Sequence, residues 1–221
     1  MTPAPADPTS PDSARERLLS AGLRLFAHQG FAKTSTRELA EAAQVNVAAI
    51  SYYFGDKAGL YRTVFFEPMA DAEADVGRIL DPSLTLDQAL RGFFHGFLEP
   101  LREGEALRLC MKLHFREMLE PTGLWQQLVE LGIRPVHDAL VTLLQRHLGL
   151  AEADEELLGL VVCITGLGVH LHVGHEVTAQ LAPQLAPGDV DRWADRLVRL
   201  ARAMVEAERS RRGAPNEDPL R

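Results

Sequence analysis

The 221-residue chain has only two cysteines and no long apolar run. Cys110 and Cys163 both lie in apolar segments, which is typical of buried, reduced thiols in a cytosolic protein. No stretch approaches the roughly 18 uninterrupted apolar residues of a membrane span. The sequence also lacks a phosphate-binding glycine loop, a Cys-x-x-Cys pair and an evident Ser/His/Asp set. These absences predict a soluble, cytoplasmic protein and give no support to the common catalytic classes.

Positive charge is scarce overall but unevenly distributed. The formal net charge of −8 argues against a protein that coats nucleic acid over its whole surface. Residues 14–62 nevertheless carry seven Lys/Arg against four Asp/Glu, whereas the chain from Thr63 onward carries 16 against 25. A basic N-terminal module on an acidic body is suited to a local contact with DNA.

Residues 34–61 predict two short helices joined by a tight turn. Ser35 or Thr36 caps the first helix, and Glu38 stands where a capping box requires it. Asn46 is a favourable N-cap for the second helix. On that helix Val47, Ile50 and Phe54 share a face that we expect to be buried, and the remaining residues face outward. The outward set is Ala48, Ala49, Ser51, Tyr52 and Tyr53.

This outward face is suited to the major groove of DNA. The small residues at its N-terminal end let a helix approach base edges closely, and their methyl groups can touch thymine. The hydroxyls of Tyr52 and Tyr53 can bond phosphate oxygens and fix the docking register. Lys57, just beyond the helix, can supply a point charge to a phosphate.

The segment resembles the TetR family of transcriptional regulators. The matching residues are Phe26, Gly30 and Phe31, then Thr34, Ser35 and Thr36, then Tyr52, Phe54, Lys57 and Leu60. Tyr53 stands where the family more often has histidine. The resemblance implies that Thr36, Tyr52, Tyr53 and Lys57 contact the DNA backbone and that Asn46, Ala48 and Ala49 lie nearest the bases. The full set of predicted DNA-binding residues is Thr34, Ser35, Thr36, Arg37, Asn46, Ala48, Ala49, Ser51, Tyr52, Tyr53 and Lys57.

The remaining chain is helical in its periodicity and shows no hairpin signal. We predict an all-α fold of about nine helices, including long helices over 56–80 and 124–148, the latter kinked or split at Pro135. The expected organisation is a disordered tail over 1–12, a three-helix helix-turn-helix domain over 13–62, a helical ligand-binding and dimerisation domain over 63–208, and a frayed tail over 209–221.

A looser resemblance covers the C-terminal part of the chain. The block Met111–Pro121, followed by Ile133, Arg134 and Pro135, is similar to the C-terminal domain of CecR-like members of the same family. The resemblance implies a homodimer in which the last two long helices of each subunit form the interface. The segment 157–171 is apolar nearly all round, which agrees with burial on more than one side. The predicted interface residues are Leu167, Leu171, Trp193, Leu197, Leu200 and Met204.

An aromatic stripe allows two interpretations. It can line a pocket for a small-molecule effector, as the resemblance implies for some such stripe, or it can be ordinary hydrophobic core. The residues concerned are Phe93, Phe94, Phe97, Met111, His114, Phe115 and Trp125.

Two groups of histidines raise the alternative of a metal site. His170, His172 and His175, with Glu176 beside them, would need a further ligand such as His95 or His114, because His170 and His172 point apart on a helix. His137-Asp138 is a pair also used by helical metal-dependent hydrolases, but that chemistry needs more His and Asp ligands. We predict no bound metal and no cofactor.

The sequence therefore predicts a homodimeric, ligand-responsive transcriptional regulator that is not an enzyme. The expected partners are a palindromic operator in double-stranded DNA, a second copy of the chain and a small-molecule effector, with no membrane. Repression is the leading hypothesis. An activator of the same family, a ligand-independent architectural protein and a hydrolase that uses His137-Asp138 stay open as alternatives.

Overall fold

The computed structural model describes residues 11–67, 72–102, 104–185 and 190–213, with no side-chain description for 11–13, 72–75, 175 and 176. Within these ranges the chain is α-helical and contains no strand. The helices are α1 Pro11–Lys33, α2 Thr36–Ala42, α3 Ala48–Phe54, α4 Lys57–Phe66, α5 Ala72–Leu80, α6 Leu86–Arg102, α7 Gly104–Leu119, α8 Trp125–Leu128, α9 Arg134–His147, α10 Glu155–Val173, α11 His175–Leu181 and α12 Val190–Arg211. The prediction of an all-α fold is confirmed.

The described residues contain more helical segments than the nine predicted, because two long helices are divided and α11 was not predicted. The predicted helix over 56–80 is present as α4 and α5. The predicted helix over 124–148 consists of α8, a π-helical turn over Val129–Ile133, and α9. Pro135 follows the π-helical turn directly, and the backbone stays helical on both sides of it, so the structure shows a π-helical turn before the proline and no break in the chain.

The helices form two compact units. The first unit holds α1 to α4 and also α7, within Met1–Ala70 and Glu103–Trp125, and the second holds α5, α6 and the helices from α9 onward. The predicted boundary after residue 62 did not anticipate this grouping, because α7 packs along α1 although it is distant in sequence.

The first unit has an aromatic core. Phe26 and Phe65 are fully buried, and the ring of Tyr61 meets that of Phe26 edge to face at 4.9 Å. Gly30 interrupts the regular helix near the end of α1 with a φ of 81°, a value that side chains rarely adopt. The chain is thereby turned toward α2, which positions the segment that sequence patterns had marked for DNA.

The second unit packs α12 against α6 and places α5, α9 and α10 around the same core. Its buried set is aliphatic apart from Phe93 and Phe94. At its edge the guanidinium of Arg212 makes two hydrogen bonds, of 2.7 and 2.8 Å, to Asp154, the residue that caps α10. These bonds hold the pKa of Asp154 well below its usual range and tie the end of α12 to the start of α10.

The predicted tails differ from the structure where they can be compared. Helix α12 continues to Arg211, and Arg209 is only 5% exposed, so the chain is ordered helix at the start of the expected frayed tail. Arg209 is held there by hydrogen bonds to the imidazole and the carbonyl of His147. At the other end α1 already begins at Pro11. Residues 1–10 and 214–221 lie outside the described ranges.

Candidate nucleic-acid interface

Helix α2 begins with the predicted capping box. The Ser35 hydroxyl accepts a hydrogen bond from the Glu38 N–H at 3.1 Å, and the Glu38 carboxylate accepts one from the Ser35 N–H at 2.7 Å. These bonds from Ser35 lower the pKa of Glu38, so the cap is complete at neutral pH. Thr36 and Arg37 stand exposed on the first turn beside it.

Helix α3 is fixed by one cap and one anchor. The Asn46 side chain accepts a hydrogen bond from the Ala48 N–H at 2.9 Å, and α3 follows directly. Ile50 is 1% exposed and fastens the helix to the core. The expectation that Val47 is buried is wrong, because its side chain remains 45% exposed although its backbone is already helical. Helical periodicity assigned Val47 to the interior, but it is a surface residue at the start of α3, the candidate DNA-reading helix.

The exposed side of α3 carries the predicted DNA-binding residues. Ala48 and Ser51 are exposed, Ala49 is partly covered, and Tyr52 is 81% exposed. The Tyr53 ring is half-buried and meets the Tyr52 ring edge to face at 4.8 Å, which limits the orientations open to both hydroxyls. The surface is shallow at the start of the helix and has aromatic hydroxyls at its end.

Two predicted DNA contacts instead point into the fold. Thr34 is 1% exposed, and its hydroxyl donates to the Gly30 carbonyl at 2.7 Å, so its side chain stabilises the turn and is not available to DNA. The Lys57 ammonium donates to the carbonyls of Phe31 and Thr34, each at 2.8 Å, and lies 4.1 Å from the centre of the Phe31 ring. Lys57 thus closes the turn between α1 and α2, a role that the sequence pattern did not reveal.

A buried carboxylate links α4 to the end of α7. Glu117 is completely buried and accepts hydrogen bonds from the Tyr61 hydroxyl at 2.9 Å, from the backbone N–H and hydroxyl of Thr122, and from the Leu124 N–H. Burial and the neighbouring Glu117 raise the pKa of Tyr61 above its usual range, so the phenol stays protonated and donates. The sequence patterns gave no sign of Glu117, because its partner Tyr61 is 56 residues away in the chain.

The residues predicted to line an effector pocket are divided between the two units, so they do not form one pocket within either. In the second unit Phe93 and Phe94 are buried core residues, and Phe97 packs on Phe93 with 5.7 Å between ring centres. In the first unit the His114 imidazole lies 3.0 Å from the Phe65 carbonyl oxygen, and its burial lowers its pKa. Met111, Phe115 and Trp125 belong to this unit and are partly buried.

The residues predicted for a dimer interface are only partly surface residues. Leu197 is 2% exposed in the core of the second unit, so it is not available to a partner. Leu167, Leu171, Trp193 and Met204 are partly buried against the same core. Leu200 is 44% exposed. Burial therefore argues against Leu197 alone, and the other five residues stay a prediction.

Helix α10 exposes an apolar face. Leu158 and Val162 are 41% and 64% exposed, and Gly159 and Gly166 have open space where a side chain would stand. Cys163 is also exposed, contrary to the expectation that both thiols are buried. Among the described helices α10 alone is long and apolar enough to cross a membrane, with a mean hydropathy of 1.7, a test that buried helices of soluble proteins also pass. The sequence pattern predicted no span, because no stretch reaches about 18 uninterrupted apolar residues.

The histidines do not form a metal site in the described part of the chain, where no group of three His, Cys, Asp or Glu residues is placed to hold an ion. The His172 imidazole lies 2.8 Å from the Phe97 carbonyl oxygen instead. The side chains of His175 and Glu176 lie outside the described set. His137 and Asp138 are neighbours on the surface, with 3.1 Å between Nδ1 and Oδ1.

Two family profiles match consecutive parts of the chain. The profile for bacterial regulatory proteins of the tetR family matches residues 18–64, and that for the C-terminal domain of the HTH-type transcriptional dual regulator CecR matches residues 86–208. The dual regulator CecR of Shigella flexneri is 28% identical over 165 residues, which are 70% of this chain and 73% of that protein. The probable HTH-type transcriptional regulator YttP of Bacillus subtilis (strain 168) is 48% identical over 48 residues, covering 22% of this chain and 23% of that protein.

Solved structures share the fold. A bacterial regulatory protein in the tetR family from Rhodococcus RHA1 has a TM-score of 0.65 at 18% identity, with coverage of 87% of this chain and 96% of that one. HlyIIR, a hemolysin II transcriptional regulator, has a TM-score of 0.60 at 22% identity, covering 86% and 99%. Together with the profile that spans more than half of the sequence, these findings show that the chain belongs to the TetR family of DNA-binding transcriptional regulators, which are not enzymes, and has a C-terminal domain of the CecR type.

Proposed function

We propose that the protein is a cytoplasmic homodimer that binds a palindromic operator, represses transcription and releases DNA when a small molecule binds. The observation that carries this proposal is the exposed surface of α3, held rigidly by the Asn46 cap and the buried Ile50. A helix fixed in this way can enter the major groove without the entropic cost of first becoming ordered.

Docking would assign two roles to the exposed residues. Ala48 and Ser51 lie on the shallow part of α3, where close approach to base edges is sterically allowed, and Val47 adds an exposed apolar contact for a thymine methyl group. Tyr52 and Arg37 would bond phosphates and set the register. Thr34 and Lys57 would act indirectly, by holding the turn in place.

Dimerisation supplies the second reading helix. The exposed face of α10 combines Leu158 and Val162 with two glycines that leave room for close helix approach, and such a face is unfavourable in water. A second copy of the same face would cover it, with Leu200 of α12 extending the contact. Two subunits related by a twofold axis would then read two half-sites about one helical turn, or a multiple of it, apart.

The response to a ligand requires two conformations with different ligand affinities. A small molecule that prefers the conformation with wrongly spaced reading helices would lower operator affinity, and the operator would lower ligand affinity by the same factor. Activation is a second candidate, since the similar protein of Shigella flexneri is named a dual regulator. A reporter fused to the target promoter separates the two, because deletion of the gene raises expression under repression and lowers it under activation.

The proposal is tested by fluorescence anisotropy with purified protein and the DNA upstream of its own gene, at physiological salt. We expect a preference of about 10³-fold or more over a scrambled duplex of equal composition. DNA from other promoters forms a second arm, since the operator need not lie beside the gene. Equal, salt-sensitive binding to every duplex would contradict sequence-specific regulation.

A further inference from the structure

The first unit contains a cavity of about 400 Å³ behind the turn between α1 and α2. Its apolar walls come from Phe31, Tyr61 and Pro121, and Ala32 and Thr122 also line it. This volume lies in the range of small-molecule sites. None of the aromatic residues that sequence patterns suggested for an effector lines this cavity, which lies entirely within the unit that carries α3.

Arg116 lines the cavity with a guanidinium whose hydrogen bonds to the protein are few and long. Its guanidinium donates to the His28 carbonyl at 3.4 Å and pairs with Glu120 at 3.1 Å, both longer than the 2.7–2.9 Å typical of a charge-assisted hydrogen bond. Within the described part of the chain its Nε is buried against Gly30 and has no hydrogen-bond acceptor, so a ligand anion would meet the terminal nitrogens of the guanidinium. Glu120 is 65% exposed, so this ion pair is weak and can be exchanged for a ligand anion.

The other carboxylate near the cavity is already satisfied. Glu117 accepts from Tyr61, Thr122 and Leu124 and does not compete for Arg116 through any hydrogen bond that the structure shows. The Phe31 ring is partly exposed beside the guanidinium, whereas Tyr61, whose ring centre lies 5.0 Å from that of Phe31, is only 3% exposed and contributes little surface. The lining thus combines the apolar surface of Phe31 and Pro121 with the guanidinium of Arg116 and its exposed partner Glu120.

We propose that this cavity binds a small, flat aromatic molecule that carries one anionic group, with the ring against Phe31 and Pro121 and the anion at the terminal nitrogens of Arg116, where it replaces Glu120. Its position connects binding to the reading module. Phe31 forms the wall, and the same residue holds Lys57 through its carbonyl oxygen and its ring. A ligand that moves Phe31 changes the support of the turn that precedes α2. Binding would therefore alter operator affinity, and only this part of the inference rests on the proposed function.

Benzoate is a suitable probe, and benzyl alcohol is its neutral counterpart of similar shape. We expect benzoate to bind the full-length protein with a dissociation constant on the order of 1 mM, because a ligand with so few atoms makes few contacts. Benzyl alcohol should bind at least about fivefold more weakly because it cannot form the charged contact with Arg116. Ligand-observed NMR and isothermal titration calorimetry measure both values.

Three variants locate the site. Ala32→Trp fills the cavity from an exposed position and should weaken benzoate binding about tenfold or more, whereas Ala106→Trp, at an exposed position of α7 outside the lining, should leave it unchanged. Arg116→Gln should abolish the preference for benzoate over benzyl alcohol, and Arg116→Lys should keep part of it. Circular dichroism and thermal melting of each variant verify that the fold is retained.

Each outcome decides the proposal. Equal binding of benzoate to the Ala32→Trp and wild-type proteins, no binding up to about 20 mM, or equal affinity for the two probes would overturn it. For the connection to DNA, saturating benzoate should change the operator affinity of the wild type but not of Ala32→Trp, and an unchanged wild-type affinity refutes the connection. If the wild-type protein shows no sequence-specific DNA binding in the absence of both probes, that result contradicts the proposed function. The binding measurements on the cavity stay valid in that case.

Discussion

The surfaces of α3 and α10 are both uncovered in the single chain, but their chemistry differs. The seven-residue α3 exposes hydroxyls and small side chains around Tyr52, whereas the 19-residue α10 exposes Leu158, Val162 and two glycines. Water solvates the first surface well and the second poorly. Exposure alone therefore does not define a functional site, because a polar surface beside basic residues is suited to DNA and an apolar one is suited to protein.

The largest effect that would test this contrast is expected from Val162→Glu on α10. A charge on this face opposes the burial of an apolar helix pair, so the protein should sediment as a monomer. Its operator affinity should fall about 10²–10⁴-fold, because a monomer binds only one half-site. Analytical ultracentrifugation and anisotropy measure the two quantities. Leu131→Glu, at a comparably exposed apolar residue on the π-helical turn, is the matched control. A dimer that persists in Val162→Glu places the interface elsewhere.

A smaller effect is expected from Tyr52→Ala on α3. Loss of the exposed ring and its hydroxyl should weaken operator binding about tenfold, which corresponds to about 1.4 kcal/mol, and should leave the oligomeric state unchanged. Tyr52→Phe removes the hydroxyl alone and distinguishes a phosphate hydrogen bond from ring packing. Wild-type affinity in Tyr52→Ala would show that this end of α3 does not touch DNA.

Lys57→Met tests whether a residue near α3 acts on DNA directly or through the fold. The ammonium bonds two carbonyls, so its loss should lower the free energy of unfolding by about 1–2 kcal/mol. The slope of log affinity against log salt should stay within about 0.3 of wild type, whereas exposed Arg37→Met should reduce it by about 0.9 for each phosphate that Arg37 neutralises. Urea unfolding and salt titrations measure these values. A Lys57→Met slope reduced like that of Arg37→Met would assign Lys57 to a phosphate.

The smallest effect should appear in thiol labelling. Burial raises the pKa of Cys110 to about 11, so at pH 8 its thiolate is scarce and shielded, and iodoacetamide should label exposed Cys163 first. If α10 pairs with a second copy, labelling of Cys163 should slow several-fold as protein concentration rises through the dimer dissociation constant. Mass spectrometry of quenched samples measures both rates. A Cys163 rate that does not depend on concentration, in a protein that dimerises, would place this part of α10 outside the interface.

Local patterns predicted the reading module well where the interactions are local. The Ser35–Glu38 cap and the Asn46 cap depend on residues within a few positions of one another, and the helical period places Ile50 on the inner face of α3. Errors arose where packing against other elements decided the outcome. Val47 is exposed although its backbone is helical, and Thr34 and Lys57 turn inward because carbonyl oxygens of α1 and of the following turn accept their hydrogen bonds.

The C-terminal part was predicted only in outline. Helical periodicity located most helices, but the apolar stripes of Leu197 and Leu200 look alike in sequence, and the structure buries one and exposes the other. The same limit applies to the residues predicted for an effector pocket. Phe93 and His114 both lie in helical apolar stripes of the sequence, yet the structure places them in different units. Periodicity identifies a face but does not identify what covers it.

The sequence by itself determined the helical class, the helix caps and the presence of a DNA-reading motif, because backbone propensities and capping bonds act over a few residues. Tertiary structure alone decided that α7 packs with the DNA-reading helices, that Glu117 is buried against Tyr61, and that a cavity opens beside Arg116. Those features join residues more than 50 positions apart, and their energies come from burial and from hydrogen bonds that exist only once the helices have packed.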